Sequence, residues 1–251
     1  MDRYIGLLAP ATLWQGRKSI DSAFIGYHPF DEVQQVNMSA SSQQPWCKIC
    51  GVTNSEDVSA VVAAGGDALG FNFYPNSARY LATEVAAELC REVKNAAPTV
   101  ERIGLFVDAA EDQVRQITGA VDLTMLQFHG DETPEYCEQF GLPYIKVIGV
   151  NGDTDFETFE DRFAGAWALL LDTHDPLLKG GTGRRFDWNL WPRSSTSRLI
   201  LAGGLDSKNV ADAVHLIQPF GVDVAGGVES GTKGVKDHGK VRTFIEAAKH
   251  G

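Results

Sequence analysis

Residues 46–73, WCKICGVTNSEDVSAVVAAGGDALGFNF, contain a short apolar run, a turn, a stretch with helical periodicity and a second apolar run. The segments "WCKIC" and "DALGFNF" have the length and apolar content of buried strands. The segment "SEDVSAVVAAG" between them repeats apolar residues at helical spacing and starts with Ser55 and Asp57, which favour a helix N-terminus. A strand, a helix and a second strand in this order predict a parallel β–α–β unit.

The same unit repeats along the chain. Six more apolar runs follow: "RIGLFV", "LTMLQF", "PYIKVIGV", "WALLLD", "RLILAGG" and "GVDVAGG". Helical patterns separate them, and the weakest lie within 154–165 and near "FDWNLW". Eight strands that alternate with helices predict a (β/α)8 TIM barrel over residues 46–251. The competing fold, an open doubly wound sheet, calls for G-x-G-x-x-G after the first strand, which "ICGVTNSED" lacks.

Residues 1–45 differ from this pattern. They mix short apolar pieces, "YIGLLAP" and "AFIGYHPF", with a polar exit, "NMSASSQQP", that has the composition of a linker. We therefore predict an N-terminal extension of unknown role. Its apolar content favours an arm packed on the barrel over a remnant of a fused partner or a disordered tail.

Charge and composition exclude several classes of protein. The chain has 33 acidic and 22 basic residues and a formal net charge of -11, which argues against non-specific binding to nucleic acid phosphates. No apolar run reaches the about 18 residues that a membrane span needs. The N-terminus lacks the positive start and long apolar stretch of a secretory signal. With only four cysteines, we expect a cytoplasmic protein.

The pair Cys47 and Cys50 forms a C-x-x-C motif, which is typical of redox dithiols and zinc sites. If "WCKIC" is a strand, residues three apart point to opposite faces and lie about 10 Å apart. A disulfide needs Cα atoms within about 7 Å. No second cysteine pair or close histidine pair completes four zinc ligands. Cys90 and Cys137 lie in helical patterns, where we expect small core residues.

Cys50 therefore ends the first strand alone, at the mouth of the predicted barrel. Chemistry in such barrels belongs at the C-terminal ends of the strands. A buried inert thiol is the alternative role. Lys48 shares the face of Cys50 and needs a buried acid partner, for which Asp223 on the eighth strand is a candidate. A nearby lysine also favours the thiolate form of a cysteine.

Asp172 ends the sixth strand, after the apolar run of "WALLLD". A carboxyl at this place is either a loop acid or a general acid with a raised pKa. A thiol and a carboxyl facing each other across one mouth form a suitable base and acid pair.

Glycine clusters follow the last three strands. Backbone N–H groups in the loops after strands 7 and 8 are where such barrels bind phosphate, so we predict a phosphosugar or similar anion as ligand. The clusters comprise Gly180, Gly181 and Gly183 after strand 6, Gly203 and Gly204 after strand 7, and Gly226 and Gly227 after strand 8.

Two further strand ends carry polar residues. Arg79, in "FYPNSARY" after the second strand, is either a solvated turn residue or a bidentate ligand for a second anion. Gln127 and His129 share one face at the end of the fourth strand, where a lone histidine is as often structural as catalytic. No metal-ligand spacing or nucleotide fingerprint occurs, so no cofactor is implied.

Taken together, these segments resemble the phosphoribosylanthranilate isomerase family of tryptophan biosynthesis. The matching segments span residues 46–249 and include "KICGVTNSEDV", "GGDALGFNFYPNSARY", "GLFVDA", "LQFHGDETPEYC", "IKVIGV", "LLLDT", "GGTGRRFDW", "LILAGGL" and "GVDVAGGVES". Each segment is weak by itself, and their joint order is specific.

The resemblance implies an Amadori rearrangement without a cofactor. It makes Asp172 the general acid, Cys50 the base and Arg79 the ligand of the anthranilate carboxylate. The glycine loops then hold the phosphate, while His129 and Asp223 line the site. The sequence leaves a monomer and a homodimer equally open.

Two features depart from the family pattern. Ala225, Gly226 and Gly227 replace a usual Ser-Ser-Gly, which removes up to two hydroxyl contacts to phosphate, and residues 1–45 have no counterpart.

Two other functions compete with the isomerase. The related histidine-pathway isomerase uses an aspartate at the end of strand 1, where this chain has Cys50. A phosphosugar binder without turnover is disfavoured because Cys50, Asp172 and Arg79 are all present.

Overall fold

The computed structural model describes residues 44–173 and 186–251. The eight strands are β1 (Trp46–Cys50), β2 (Ala68–Asn72), β3 (Glu101–Phe106), β4 (Met125–Phe128), β5 (Tyr144–Val150), β6 (Ala168–Thr173), β7 (Leu199–Leu201) and β8 (Gly221–Val224). They are all parallel and close into a barrel in chain order, with β8 paired to β1. The predicted TIM barrel is confirmed.

Seven α-helices occur among the described residues, and most of them cover the outside of the barrel. They are α1 (Ser55–Ala63), α2 (Thr83–Ala96), α3 (Glu111–Ala120), α4 (Pro134–Glu138), α5 (Phe156–Arg162), α6 (Val210–Ile217) and α7 (His238–His250). None of these helices is long and apolar enough to cross a membrane. The predicted extension lies outside the described residues, apart from positions 44 and 45.

The predicted helix near "FDWNLW" is wrong for the described residues. Only a short 3-10 turn, Trp188–Leu190, forms there, started by the Asp187 carboxylate, which accepts from the Asn189 N–H at 3.0 Å. Pro192 follows closely, and proline lacks the N–H that a continuing helix needs. The other weakly signalled helix is confirmed as α5, whose first turn is capped by Asp155.

The alternation of side chains along each strand separates two cores. One lies inside the barrel and is built from small and branched residues: Ala68, Ile103, Met125, Ile145, Val147, Ala168, Leu170, Ile200 and Ala202. The other lies between the strands and the helices and is larger. Residues at the carboxyl ends of the strands continue the inner face and point to the mouth of the barrel.

Strand β1 shows this alternation at its two cysteines. Cys47 packs in the outer core against the helices, whereas Cys50 packs inside the mouth with Leu105 and Val107. All four cysteines are buried and free. The prediction that Cys47 and Cys50 point to opposite faces is therefore confirmed.

The seam between β1 and β8 carries a buried ion pair. Lys48 is paired in register with Asp223, and its Nζ lies 2.9 Å from Oδ1 of that residue. The lysine side chain is fully buried. Burial by itself lowers the pKa of Lys48, but Asp223 and Cys50 raise it above its ordinary value. The charged pair predicted from the sequence therefore joins the first strand to the last.

We predict that removal of one partner of this pair destabilises the barrel strongly. Lys48→Met leaves the Asp223 carboxylate buried without its cation and should cost about 3–5 kcal/mol of unfolding free energy in urea titrations. The double variant Lys48→Met/Asp223→Asn should recover much of that loss. The control is Arg115→Ala, which breaks an exposed pair with Glu111 on α3 and should cost no more than about 0.5 kcal/mol. Equal losses of unfolding free energy in Lys48→Met and Arg115→Ala would contradict the prediction.

Candidate active site

Cys50 ends β1 in a small apolar pocket inside the mouth. Cys50 is 6% exposed and forms a cluster with Leu105 and Val107. Tyr74 and Ala225 pack against this cluster. A Cβ placed on Gly70 would lie 3.0 Å from both the Cys50 Sγ and the Lys48 Nζ. The thiol and the ammonium therefore converge on the same point, where a glycine leaves room for them.

Asp172 is the second-to-last residue of β6 and lies at the mouth of the barrel. Its side chain is 16% exposed, and its Oδ1 accepts a hydrogen bond of 2.7 Å from the Thr173 N–H. Burial raises the pKa of this carboxyl to about 6, the Thr173 N–H opposes that rise, and Asp223 adds to it. Asp172 therefore holds a proton at a higher pH than an ordinary aspartate, as a general acid requires.

His129 lies beside this acid. Its Nε2 is 3.9 Å from Asp172 Oδ2, and its side chain is 15% exposed. Gln127, two residues earlier on the same face, is almost fully buried, and its Oε1 has no hydrogen-bond partner. Sequence analysis placed both residues on one face but gave Gln127 no role. Buried polar atoms are seldom left unpaired, and the Gln127 Oε1 is one of two such exceptions among the described side chains.

Most of the described site residues predicted from the sequence line one cavity of about 500 Å³ at the carboxyl ends of β6, β7 and β8. They are Arg79, Asp172, Gly203, Gly204, Asp223, Gly226 and Gly227. Cys50 and His129 do not line it themselves, but Cys50 adjoins Ala225 of its wall and His129 adjoins Asp172. Gly180, Gly181 and Gly183 lie outside the described residues. A second recess of about 560 Å³ contains none of the predicted residues.

Two of the glycines after β7 and β8, Gly203 and Gly227, lie so close to neighbouring atoms that a side chain would not fit. Gly203 has a φ of +85°, and a Cβ there would lie 3.0 Å from the Asp172 Oδ1. A Cβ on Gly227 would overlap the Leu205 carbonyl oxygen. Gly226 differs from them, because the nearest atom to its Cβ position is the Arg79 Nη2 at 3.6 Å. The two glycine loops therefore pack against each other and against the acid.

The glycines of both loops line the cavity. Gly226–Val228 forms a 3-10 turn, and the first N–H groups of such a turn have no acceptor within it. Asn209, which the sequence analysis missed, fixes the neighbouring loop. Its Nδ2 donates to the Gly204 carbonyl at 3.0 Å, and its Oδ1 accepts from the Asp206 N–H at 2.9 Å. Asparagine just before a helix is the sequence signal that could have found it.

Arg79 is a paired residue and not a solvated turn residue. Its Nε and Nη2 donate to the two carboxylate oxygens of Glu229 at 2.6 and 3.1 Å. A Cβ on Gly51 would overlap the Arg79 side chain, so this glycine lets the arginine stem lie across the end of β1. Glu229 and the buried Lys236 beside it were missed, because both read as loop charges.

The described residues contain no group of three or more His, Cys, Asp or Glu side chains arranged to hold a metal ion. The charged groups of the mouth pair with one another instead. Lys48 contacts Asp223, and Arg79 contacts Glu229.

Comparison with known proteins identifies the family of this site. A family model described as N-(5'-phosphoribosyl)anthranilate (PRA) isomerase matches residues 47–247. The isomerase of Thiobacillus denitrificans is 50% identical over 202 residues, which are 80% of this chain and 97% of that protein. The chain belongs to the PRA isomerase family.

Solved structures of PRA isomerases agree with this assignment. The crystal structure of the Thermotoga maritima enzyme is 37% identical, has a TM-score of 0.74 and covers 82% of this chain and 98% of its own. A PRA isomerase in complex with reduced 1-(o-carboxyphenylamino)-1-deoxyribulose 5-phosphate is 34% identical, with a TM-score of 0.68 and the same coverage. The activity of the family, an aldose–ketose type isomerisation in tryptophan biosynthesis, is the activity of this chain.

We predict that the buried acid of this PRA isomerase destabilises the fold at neutral pH. A carboxyl whose pKa rises from 3.8 to about 6 on folding binds its proton more tightly when folded. Stability is therefore lost as the pH rises from about 4 to about 6, and it stays lower above that range. Asp172→Asn cannot ionise and keeps the Thr173 hydrogen bond, so it should gain at most about 3 kcal/mol at pH 7.5.

Urea unfolding of both proteins at several pH values measures this difference, which should vanish near pH 3.5. Asp155→Asn is the control. Asp155 is an exposed helix cap with a lowered pKa, for which its hydrogen bonds with Thr158 are responsible. It should show no gain at neutral pH. A difference for Asp172→Asn that does not change with pH would contradict the assignment of a raised pKa.

Proposed function

We propose that Cys50 and Asp172 carry out the rearrangement of N-(5-phosphoribosyl)anthranilate as base and acid. The observation that carries this proposal is their placement. Cys50 is the last residue of β1, and Asp172 is the second-to-last residue of β6. Both lie at the mouth of the barrel, and the pKa of Asp172 is raised. A carboxyl whose pKa is raised by burial suits the role of general acid, and a cysteine at the same mouth is available as its partner.

The proposed reaction starts with Asp172. Its proton goes to the ribose ring oxygen, the bond between C1′ and that oxygen breaks, and a Schiff base forms on the anthranilate nitrogen. The Cys50 thiolate then removes the proton from C2′, and the electron pair of that bond neutralises the iminium as an enolamine. The enolamine relaxes to the ketone. One proton is given and one is taken, so exchange with solvent returns Cys50 and Asp172 to their starting states.

The remaining residues hold the substrate. The N–H groups of Gly203, Gly204, Gly226 and Gly227 bind the phosphate, together with Gly180 and Gly181. Arg79 binds the anthranilate carboxylate. Glu229 occupies two of the five N–H groups of Arg79, so three remain for an anion. His129 and Asp223 line the ribose portion, and we assign no cofactor.

The same proposal covers the parts of the chain that surround the site. Catalysis belongs to the barrel, residues 46–251, and residues 1–45 form an accessory extension. The partner is a small phosphosugar and not nucleic acid or membrane. The protein works in the cytoplasm as a monomer or homodimer, and a similar solved structure is of monomers generated from the dimeric PRA isomerase of Thermotoga maritima.

We predict that loss of either catalytic side chain slows turnover at least about 100-fold, the usual weight of a general acid or base. Loss of substrate fluorescence measures turnover, with substrate made in situ from anthranilate and phosphoribosyl pyrophosphate by a transferase. Cys50→Ala and Asp172→Asn are compared with Cys47→Ala, a cysteine of the same strand that faces the outer core. Cys47→Ala should keep turnover, and a Cys50→Ala enzyme with wild-type turnover would refute the role of the thiol.

We predict that a hydroxyl restored at Gly226 strengthens phosphate binding. The Cβ position of this glycine is open, so Gly226→Ser adds a donor without moving the turn. One added hydrogen bond of about 1 kcal/mol should lower KM about fivefold with little change in kcat. Gly227→Ser is the matched control, because its Cβ overlaps the Leu205 carbonyl and should raise KM. An unchanged KM in Gly226→Ser would count against the assignment of the phosphate to this turn.

A further inference from the structure

Lys236 is the most completely enclosed charged residue in the loop after β8. Its side chain is 0% exposed, although it lies in a segment, residues 229–237, that contains no helix or strand. Its Nζ donates to the Cys50 carbonyl at 2.6 Å and to the Ala225 carbonyl at 3.0 Å, and lies 3.5 Å from Glu229 Oε1. Three acceptors around one nitrogen match the three N–H donors of an ammonium group.

These contacts join three parts of the proposed active site. Cys50 carries the thiol at the end of β1. Ala225 leads directly into the Gly226–Val228 turn, and Gly226 and Gly227 line the cavity. Glu229 holds the Arg79 guanidinium with both of its carboxylate oxygens. A displacement of Lys236 would therefore change the positions of Cys50, of the turn after Ala225 and, through Glu229, of Arg79.

The loop is itself held against the β2–α2 connection. Glu229 and Lys236 form an isolated antiparallel bridge, and the Asp237 N–H donates to the Val228 carbonyl at 2.9 Å. Gly234 has a φ of +85°, and a Cβ there would lie 2.6 Å from the Ala78 carbonyl oxygen. The loop therefore closes on the residue next to Arg79, with no room for a side chain at the contact.

We propose that Lys236 and Glu229 are positioning residues that hold Cys50, Arg79 and the Gly226–Val228 turn in one frame. Neither residue needs to touch the reacting atoms. This inference deepens the proposed function, because it rests on Cys50 being the base. Lys236 fixes the carbonyl of the thiol residue, and Glu229 fixes the direction in which the guanidinium points.

The same geometry sets the charge around the thiol. Lys48 reaches Cys50 from β1, Arg79 from the connection after β2, and Lys236 from the loop after β8. The anionic groups of the surroundings are Asp223 on Lys48 and Glu229 on the other two cations. Tyr74 is the remaining titratable side chain that packs there.

Lys236 and Glu229 should therefore act on the Cys50 thiol with opposite signs. Loss of the Lys236 cation disfavours a thiolate, whereas loss of the Glu229 carboxylate leaves the two cations uncompensated and favours it. A residue that only supports the fold would not produce such a pair of opposite effects.

The test follows alkylation of Cys50 by iodoacetamide as a function of pH, with the labelled peptide identified by mass spectrometry. Cys47, Cys90 and Cys137 pack in the outer core and not at the mouth, and burial raises the pKa of each of these thiols. Lys236→Met should move the midpoint of the Cys50 profile up by at least about 0.5 pH units, and Glu229→Gln should move it down. Lys236→Met should also lower kcat, and Glu229→Gln should chiefly raise KM.

Lys146→Met is the matched control. Lys146 is a buried lysine at the same end of the barrel that contacts a carboxylate, Glu132, and two backbone carbonyls. Its removal should cost similar stability but leave the Cys50 midpoint in place. Unmoved midpoints in both test variants, or midpoints that move in the same direction in both, would overturn the proposal. If Lys236→Met does not fold, the isosteric Glu229→Gln variant decides alone.

Alkylation reads the thiol whether or not the protein turns substrate over. Suppose that the Cys50 midpoint moves in opposite directions in the two variants while Cys50→Ala keeps full turnover. The proposal that Cys50 is the base would then be refuted, and the effect of Lys236 and Glu229 on the thiol would stand. Unmoved midpoints together with a large loss of turnover in Cys50→Ala would refute the positioning pair and support Cys50 as the base. The two proposals therefore fail separately.

Discussion

The pairing of β8 with β1 is the constraint on which the rest of the molecule depends. It turns a row of parallel strands into a ring, so that strand ends far apart in the chain meet at one mouth. Lys48 and Asp223, 175 residues apart, pair across this seam at 2.9 Å. Cys50 and the turn that begins at Gly226 become neighbours only because the seam is closed.

The charge distribution in the mouth runs against that of the whole protein. The chain has a formal net charge of -11, yet Lys48, Arg79 and Lys236 gather around Cys50. Such a local excess of cations favours the binding of an anionic substrate. Asp172 is placed away from these cations, where burial raises its pKa. One mouth therefore places a cysteine among cations and, elsewhere, a carboxyl that keeps its proton to a higher pH than an ordinary aspartate.

The sequence predicted those features that depend on local pattern. Short apolar runs located the eight strands, helical repeats located the seven described α-helices, and the strand-end rule selected Cys50 and Asp172. The partner of Lys48 was also predicted, since an interior lysine requires an acid on a facing strand. The helix near "FDWNLW" was wrong because a capped single turn and a nearby proline give a similar pattern of residues over a short stretch.

The remaining features depend on contacts that no periodicity encodes. Arg79 and Glu229 are 150 residues apart, and Lys236 reaches Cys50 across 186 residues. In the sequence each looks like an ordinary loop charge. Gly226 and Gly227 also look alike there, but only the second has a neighbouring carbonyl in the place of its Cβ. Such distinctions follow from the packing of loops around the closed ring.

The most direct test is a crystal structure of this protein with reduced 1-(o-carboxyphenylamino)-1-deoxyribulose 5-phosphate bound. The measured quantities are the distances from the Cys50 Sγ and the Asp172 carboxyl to the sugar. We predict the thiol within about 3.5 Å of C2 and the carboxyl on the other side of the sugar, the near-attack geometry for proton transfer. The phosphate should lie on the Gly203–Gly204 and Gly226–Gly227 amides. A ligand with its phosphate elsewhere, or with both reactive groups out of reach of the sugar, would contradict the account.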